Sequence, residues 1–279
     1  MDIERLGEWH ETSGGFAIVY IAHWRNNGRK RKVGVKVIKT PAPHGCSGDK
    51  IANKRLRSEI MIWSRLDHPN ILPLLGITYG FGAQGVYGMV CPWIDNGDLS
   101  HYLKVNEGIS LPERITMLSE IAEALYYLHS NSVVHGDLTG NNILVADDGK
   151  MLLCDFGLSS IKEDYSKEFY HTTSTPKYNL PWTAPEIVLS EFPPRPNQKT
   201  DVYSFGSVML QVLSGTRPYH GMAEGMIVLS LFDLGIPPRP EGVLVSDDLW
   251  SFMLKCWDRN PQKRLVVADI RDYVSLVSV

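Results

Sequence analysis

The sequence predicts a mixed α+β fold in which a small β-rich lobe is followed by a larger, mainly helical lobe. Up to about residue 91, short β-branched runs alternate with turn-forming glycine and asparagine clusters, which is typical of strands joined by hairpins. Beyond Asn96-Gly97 the apolar residues recur with a period of about 3.6, which indicates amphipathic helices. A connector near residues 92–98 separates the two parts.

Strands in the first lobe are predicted where β-branched residues cluster between turn formers. Gly14-Gly15 lies at the start of the first such run, and Asn26-Asn27-Gly28 separates it from the second. A polar loop that begins at Thr40 leads into a helix predicted near Lys50–Leu66. The predicted strands are Phe16–Ala22, Val33–Ile38, Ile71–Ile77 and Val86–Cys91.

The second lobe opens on a helix-capping signal. Ser110-Leu-Pro-Glu113 combines a serine, a proline in the first turn and a glutamate at the third helical position, which predicts a capping box. The residues that follow, as far as Leu128, keep apolar side chains on one helical face. Asp201–Leu213 is apolar on almost every side, so we predict a helix buried at the centre of this lobe.

Composition narrows the classes of function. Among the 279 residues, 43% are apolar and 21% are charged, as expected of a globular protein with a core. The formal net charge of −3 provides no basic field, so we expect no nucleic acid and no anionic membrane as partner. No apolar run approaches the roughly 18 residues of a membrane span, and no secretory signal is visible. The four cysteines lack metal-binding spacing, which favours reduced thiols and a cytoplasmic location.

Lys36 and Glu59 are the candidate charged pair of the first lobe. Strand alternation places Gly34 and Lys36 on one face of Val33–Ile38, where a lysine can reach phosphates while an adenine packs on the glycine. Glu59 falls within the apolar stripe of the following helix, and a carboxylate there is costly unless it is paired. We therefore predict a Lys36–Glu59 ion pair; an exposed surface lysine and a glutamate at the edge of the stripe are the alternatives.

The segment His135-Gly-Asp-Leu-Thr-Gly-Asn-Asn142 carries the strongest chemical signal, although by composition alone it is also an ordinary loop. Asp137 can accept the proton of an attacking hydroxyl, and Asn142 can hold a metal ion. Asp155, in Asp155-Phe-Gly157, supplies a second oxygen ligand of the type that Mg²⁺ prefers. Ala184-Pro-Glu186 closes the segment that begins at Asp155, and the three motifs in this order predict phosphoryl transfer from ATP.

With these motifs, from about Glu11 to Asp272, the chain resembles the eukaryotic protein kinase superfamily. It is most similar to the tyrosine-kinase-like group, especially to a branch common in fungi that has His-Gly-Asp-Leu-Thr-Gly loops. The likeness to that group rests on Asp67–Gly76, Asp201–Gly206 and Cys256–Arg264. The resemblance implies a bilobal kinase fold around ATP, with an N-lobe over residues 1–91, a hinge over 92–98 and a C-lobe over 99–279.

The resemblance also implies how the chain binds ATP and Mg²⁺, with Mn²⁺ as an alternative metal. Cys91 would be the gatekeeper, and adenine would bind the Pro92 carbonyl and the Ile94 backbone; a proline serves there because only its carbonyl is used. Asp201 would brace the backbone of the catalytic loop, and Glu186 would pair with Arg264. The implied catalytic residues are Lys36, Glu59, Asp137, Asn142 and Asp155, of which Asn142 and Asp155 bind the metal. The implied ATP-binding residues are Thr12, Ser13, Gly14, Gly15, Phe16, Val19, Gly34, Lys36, Cys91, Pro92, Ile94, Leu144 and Asp155.

The chain departs from the family in its phosphate loop and next to its catalytic aspartate. Of the three glycines expected in the loop, aligned at Thr12, Gly14 and Ala17, only the central one is present. Gly136 replaces an arginine that in many kinases binds a phosphate on the activation segment. We therefore expect activity to depend little on phosphorylation of the cluster Thr172–Thr175.

Two further departures bear on the substrate. Thr139 stands where serine/threonine kinases carry a lysine, and Asn141 stands where most tyrosine kinases carry an arginine. We expect an ATP-dependent protein kinase that phosphorylates serine or threonine, in preference to tyrosine, on a protein substrate. The alternative is a pseudokinase, a nucleotide-binding signalling scaffold with little activity, which the altered phosphate loop and the missing cations favour. The sequence leaves the oligomeric state open.

Overall fold

The computed structural model describes residues 2–6, 12–13, 17–26, 28–39, 56–81, 87–161, 179–233, 235–240 and 245–277. They divide into two compact units. The N-terminal unit lies within residues 1–67 and 72–95, and the C-terminal unit within residues 68–71 and 96–279. The change from one unit to the other after Asp95 falls inside the predicted connector.

An antiparallel sheet makes up most of the N-terminal unit. Its strand order is β1-β3-β4-β6-β5, with β2 also paired to β3. The strands are β1 (Asp2–Arg5), β2 (Thr12–Ser13), β3 (Ala17–Asn26), β4 (Arg29–Ile38), β5 (Gly76–Thr78) and β6 (Gly88–Pro92).

The hairpin of β3 and β4 is longer than the sequence predicts. The strands stay paired from Ala17 with Ile38 to Asn26 with Arg29, whereas the prediction ended the first strand at Ala22. The additional residues of β4, 29–32, are exposed and charged on both faces, so no apolar alternation marks them as a strand. The core of this unit is formed by Tyr20, Ala22, Val33, Val35, Val37, Phe81 and Val90.

The predicted strand Ile71–Ile77 is mostly wrong. Only Gly76–Thr78 pairs with β6, because Pro73 has no N–H to donate to a ladder. Ile71 instead makes an isolated parallel bridge to Leu153 within the C-terminal unit. The helix predicted near Lys50–Leu66 is described over residues 56–63, which we call α1, and a turn follows it.

The C-terminal unit is mainly helical, as predicted. The Ser110 side chain accepts a hydrogen bond from the Glu113 N–H, and the Glu113 side chain accepts one from the Ser110 N–H, so the predicted capping box is confirmed. The predicted buried helix is also confirmed, since every residue from Thr200 to Leu213 except Ser204 is buried. The helices are α2 (Leu99–Val105), α3 (Leu111–Ser130), α4 (Pro185–Val188), α5 (Gln198–Ser214), α6 (Glu224–Asp233), α7 (Asp247–Cys256) and α8 (Val267–Val277).

The predicted pair of Glu186 and Arg264 is formed in this unit. Both guanidinium Nη atoms donate to the carboxylate, each at 2.7 Å, and the Arg264 side chain is fully buried. Arg264 also donates to the carbonyls of Asp258 and Lys199, at 2.9 and 3.0 Å. The pair therefore joins α4 to the start of α5 and to the loop before α8.

Two short antiparallel strand pairs flank the predicted chemical motifs. β7 (Val133–Val134) pairs with β10 (Ser160–Ile161), and β8 (Ile143–Val145) pairs with β9 (Met151–Leu153). Residues 135–142 connect β7 to β8, and Asp155 lies between β9 and β10, so the two strand pairs fix the ends of both loops. None of the helices in the described ranges has the length and apolar character needed to cross a membrane.

Candidate active site

In the N-terminal unit, the predicted ion pair of Lys36 and Glu59 is confirmed. Lys36 lies on β4 and Glu59 on α1, and the Lys36 Nζ atom is 2.6 Å from Glu59 Oε1. The Glu59 side chain is 2% exposed, whereas the lysine keeps 13% of its surface exposed. The carboxylate is thus the more deeply buried member of the pair, and the lysine side chain is the more exposed one.

The predicted adenine-binding residues of the sheet share one face with Lys36. The register pairs Val19 with Lys36 and Gly34 with Cys91, and directly opposed residues of antiparallel strands project to the same side. A Cβ atom added at Gly34 would lie 3.4 Å from Cys91 Sγ and 3.6 Å from the Trp93 ring. Glycine therefore keeps the centre of this face open, which suits a flat ring.

Cys91 is the predicted gatekeeper, and its thiol is unreactive by environment. It is 8% exposed, and its Sγ atom lies 3.7 Å from the Gly34 carbonyl oxygen. Burial raises the pKa of the Cys91 thiol to about 12, because a thiolate would lose its hydration. The side chain therefore acts as a small apolar group at neutral pH.

The remaining predicted ATP-binding residues fall in several places. Gly14, Gly15 and Phe16 lie outside the described residues, and of Thr12 and Ser13 only the backbone is described, as β2. The others are partly buried: Pro92 ends β6, Ile94 follows it, and Leu144 lies on β8 of the C-terminal unit.

In the C-terminal unit, Asp201 holds the start of the catalytic loop. Its carboxylate is 1% exposed and accepts hydrogen bonds from the N–H groups of His135 and Gly136, both at 2.9 Å. The brace implied by the sequence resemblance is therefore present. A third contact, 2.8 Å from Asp201 Oδ2 to His129 Nε2, ties the loop to the end of α3.

His135 is fully buried, and its two bonds define its tautomer. Its Nε2 atom lies 3.1 Å from the Cys154 carbonyl oxygen, which can only accept, so Nε2 carries the proton. Its Nδ1 atom then accepts from the Asp137 N–H at 3.3 Å. The imidazole thus connects the backbone before Asp155 to the backbone of Asp137.

The Asp137 carboxylate is held by two asparagine side chains. Asn142 Nδ2 donates to Oδ2 at 3.0 Å, and Asn179 Nδ2 donates to Oδ1 at 2.8 Å. Burial raises the pKa of Asp137; the hydrogen bonds from Asn179 and Asn142 and the nearby His135 ring oppose the shift, and the charge of Asp155 adds to it. The carboxylate is fixed in orientation and is more basic than an exposed aspartate.

The groups predicted to hold a metal ion fit a hard divalent cation. Asn142 Nδ2 also donates a hydrogen bond to the Asp137 carbonyl oxygen at 2.8 Å. Because the amide nitrogen makes these bonds, the amide oxygen is the atom that can ligate a cation. Asp155 supplies a carboxylate and has φ of 64°, a left-handed backbone that aspartate tolerates better than most residues. One amide oxygen and one carboxylate match the few protein ligands that Mg²⁺ takes beside phosphates and water.

Gly136 is required by the fold of the loop. Its φ is 81°, and an added Cβ atom would lie 2.8 Å from the Leu158 carbonyl oxygen. Ser159 Oγ donates to the His135 carbonyl at 2.9 Å on the same segment. The chain after Asp155 therefore packs directly on the position where many kinases carry arginine, and a side chain there would displace it.

Thr139 and Asn141 differ in their surroundings. Thr139 is 2% exposed, and its Oγ1 atom has no hydrogen-bond partner among the described residues. Asn141 is exposed, and its Oδ1 atom accepts from Ser100 Oγ at 2.6 Å. The threonine hydroxyl is therefore an interior group rather than a surface donor.

Sequence reasoning missed Asn179, His129 and Gln211. Each acts through a contact to a residue at least 42 positions away, as with Asn179 and Asp137, so no local spacing marks it. Of the three, Asn179 is the one that the sequence could have suggested. It precedes Leu180-Pro-Trp182, in the segment that ends at the predicted motif Ala184-Pro-Glu186.

Comparison with known proteins defines the family. The model for the family described as protein tyrosine and serine/threonine kinase matches residues 8–274, so the chain belongs to the protein kinase family. The α+β fold, a sheet-based N-terminal unit and a helical C-terminal unit, agrees with this family. The family uses ATP and a divalent metal, generally Mg²⁺. The finer likeness to a fungal branch stays a prediction.

The matching relatives include kinases whose names state different acceptor residues. The chain is 30% identical over 273 residues to the tyrosine-protein kinase SPK-1 of Girardia tigrina and 34% identical over 257 residues to the tyrosine-protein kinase SRK3 of Spongilla lacustris. It is 30% identical over 256 residues to the serine/threonine/tyrosine-protein kinase HT1 of Arabidopsis thaliana. These alignments cover 95%, 90% and 91% of the chain, but 52%, 70% and 61% of the relatives.

Proposed function

We propose that the chain transfers the γ-phosphoryl group of ATP to a hydroxyl group of a protein substrate. The observation that carries the proposal is the Asp137 carboxylate, held by Asn142 and Asn179 and with its pKa raised by burial. A carboxylate that is held in one orientation and is more basic than an exposed aspartate can orient an attacking hydroxyl and accept its proton.

In this mechanism the acceptor O–H bond gives its proton to Asp137. The acceptor oxygen forms a bond to the γ-phosphorus as the bond from that phosphorus to the bridging oxygen of ADP breaks, and ADP leaves. Asn142 and Asp155 would hold Mg²⁺, which neutralises developing charge on the phosphates when it is bound. Lys36, positioned by Glu59, supplies a cation for the phosphates.

We infer that serine or threonine is the preferred acceptor. The inference rests on Asn141, an uncharged residue where the resemblance places an arginine in most tyrosine kinases. Phosphoamino-acid analysis of a mixed protein substrate tests it, and phosphotyrosine as the main product would contradict it. Phosphotyrosine as the main product would agree with the names of the Girardia and Spongilla relatives, which are both called tyrosine-protein kinases.

Two further properties follow from the same residues. Mn²⁺ should replace Mg²⁺, because it accepts the same amide and carboxylate oxygens. We also infer a reducing, cytoplasmic environment, which the free thiols of Cys91, Cys154 and Cys256 support.

The test of the proposed function is the variant Asp137→Asn, assayed with Mg²⁺ and labelled ATP. Transfer should fall by about 10²–10⁴-fold, the usual contribution of a general base, while ATP binding measured by titration stays within about threefold. Asp147→Asn is the matched control, since Asp147 is exposed in the turn between β8 and β9. A wild-type protein that binds ATP and transfers nothing would establish the scaffold alternative instead.

A further inference from the structure

The C-terminal unit contains a cavity beside the catalytic loop that the proposed chemistry does not use. Its volume is about 590 Å³, within the range of roughly 300–1,000 Å³ that ligand sites occupy. It is lined by residues from both ends of α2, the turn after α5, the start of α6 and the segment Leu180–Trp182. We call it the Arg217 pocket; its charged lining residues are Lys104, Arg217, His220 and Glu224.

The inner part of the Arg217 pocket is a hydrogen-bonded network tied to the catalytic loop. Gln211 is 2% exposed, donates to Ser100 Oγ at 2.9 Å and accepts from Trp182 Nε1 at 3.1 Å. Ser100 in turn donates to Asn141. A Cβ atom added at Gly140 would collide with the Gln211 amide, so loop and pocket are closely packed. The shape of the pocket is therefore set by buried, mutually satisfied groups.

The pocket adjoins the Asp137 carboxylate. Asn179 is part of its lining, and the same side chain donates to Asp137 Oδ1 at 2.8 Å. Asn179 is thus shared between the lining of the pocket and the carboxylate that is proposed to accept the proton. A peptide whose hydroxyl is held at Asp137 can place a neighbouring side chain toward the pocket, since consecutive Cα atoms are about 3.8 Å apart.

The cations of the pocket are not neutralised by the protein. Lys104 and Arg217 are exposed, and no carboxylate in the described part of the chain pairs with either. Arg217 donates a hydrogen bond to the Met222 carbonyl oxygen at 3.3 Å, and that acceptor carries no net charge. Glu224 is the single carboxylate of the lining, so the two cationic side chains, Lys104 and Arg217, outnumber it by one.

We propose that the Arg217 pocket binds an anionic side chain of the protein substrate, close in sequence to the hydroxyl that is phosphorylated. The proposal rests on the proposed kinase function. A carboxylate of aspartate or glutamate and the phosphate of an already modified residue share the chemistry required, because both accept bonds from guanidinium and ammonium groups. The chain is then a kinase that prefers acidic or previously phosphorylated sequences.

The experiment uses peptides with one acceptor hydroxyl in a neutral sequence. A single glutamate, phosphoserine or lysine is scanned through the positions on both sides, and kcat/KM is compared with that of the neutral peptide. At one or two positions glutamate should raise kcat/KM about fivefold, in line with a partly exposed ion pair, and lysine should lower it. Phosphoserine exceeding glutamate at the same position would identify a phosphate as the better ligand.

Three variants assign the effect to this pocket. Arg217→Glu should abolish the preference for glutamate and shift it toward lysine, while Glu224→Gln should strengthen the preference for glutamate. Lys255→Glu is the matched control: it makes the same change of charge at an exposed position of α7 outside the lining, and it should keep the wild-type preference. Raising the salt concentration should weaken the wild-type preference, because the ions are exposed.

Failure of this proposal is distinguishable from failure of the proposed function. If the neutral peptide is phosphorylated and glutamate has no effect at any position, or Lys255→Glu acts like Arg217→Glu, the pocket proposal is wrong and the kinase stands. If no peptide is phosphorylated, fluorescence anisotropy of the same peptides decides. Tighter binding of the acidic peptide to wild type than to Arg217→Glu supports the pocket, and equal binding overturns it.

Discussion

Two ion pairs among the described residues, Lys36–Glu59 in the N-terminal unit and Arg264–Glu186 in the C-terminal unit, are built in opposite ways. In the N-terminal unit the carboxylate of Glu59 is buried at 2% exposure, and Lys36 keeps 13% of its side chain exposed. In the C-terminal unit the guanidinium of Arg264 has no exposure, and Glu186 keeps 22%. The more exposed member of the first pair is thus its cation, whereas the more exposed member of the second pair is its carboxylate.

The chemistry of the two cations follows this difference. Arg264 is fixed by two parallel bonds to Glu186 and by two backbone carbonyls, the arrangement that a rigid planar fork favours. Lysine is a compact charge on a flexible stem, and it suits a ligand that arrives and leaves. Arg264 therefore serves the fold, and Lys36, under the proposed function, serves the phosphates.

The largest effect is expected for Arg264→Ala. It leaves the Glu186 carboxylate without its cation in a mostly buried setting and should lower the free energy of unfolding by about 3–5 kcal/mol. The control is Arg25→Ala, which breaks an exposed pair with Glu4 and should cost less than about 1 kcal/mol. Denaturant titration of both variants checks this, and equal midpoints would show that Arg264 has no special structural role.

Lys36→Met should act mainly on turnover. Removing the cation from the phosphates should lower kcat by about 100-fold, or about 2.7 kcal/mol. Steady-state kinetics at a temperature where the variant is folded measures this, with circular dichroism as the check on folding. Lys32→Met is a matched lysine control on the same strand, because Lys32 pairs with exposed Asp95. Wild-type turnover in folded Lys36→Met would remove this residue from the mechanism.

Gly136→Arg extends the same distinction to the catalytic loop. The left-handed backbone and the nearby Leu158 carbonyl make us expect a loss of about 1–2 kcal/mol of stability rather than a gained phosphate switch. Activity of wild type should also change less than about threefold on phosphatase treatment, since the arginine of the usual switch is replaced by this glycine. A stable variant whose activity becomes phosphatase-sensitive would contradict this account.

The smallest effect is expected for Thr139→Val. The replacement has nearly the same shape, and the hydroxyl has no partner among the described residues, so stability should change by less than about 0.5 kcal/mol. Thermal melting and kcat are the readouts. A fall in kcat of about tenfold with unchanged melting would show instead that this hydroxyl contacts the transferring phosphate.

Whether a contact can be predicted from the sequence depends on how far apart its two residues lie along the chain. The capping box at Ser110 is local, and the cost of a carboxylate on an apolar stripe was enough to pair Glu59 with Lys36. The bond between Gln211 and Ser100 spans 111 positions, and nothing along the chain indicates it. The burial of Thr139 likewise depends on tertiary packing, which residue type alone does not reveal.

The extension of β3 and β4 shows a second limit. Residues 29–32 are all cationic and exposed, and the strand prediction relied on apolar alternation, which they lack. Backbone pairing with residues 23–26 continues the hairpin regardless. The motif around Asp137 leaves a clear mark in the sequence because its chemistry restricts residue type, whereas a solvated strand ladder accepts many residue types and leaves none.

The central claim, that one ion pair serves the reaction and the other the fold, is tested most directly by two uncharged double variants. Lys36→Met with Glu59→Gln, and Arg264→Met with Glu186→Gln, each remove both charges, so that neither strands a buried ion. The measurement is turnover per folded molecule. The account predicts turnover within about threefold of wild type for the Arg264–Glu186 double variant and a loss of about 100-fold for the Lys36–Glu59 double variant. Equal turnover in the two would contradict it.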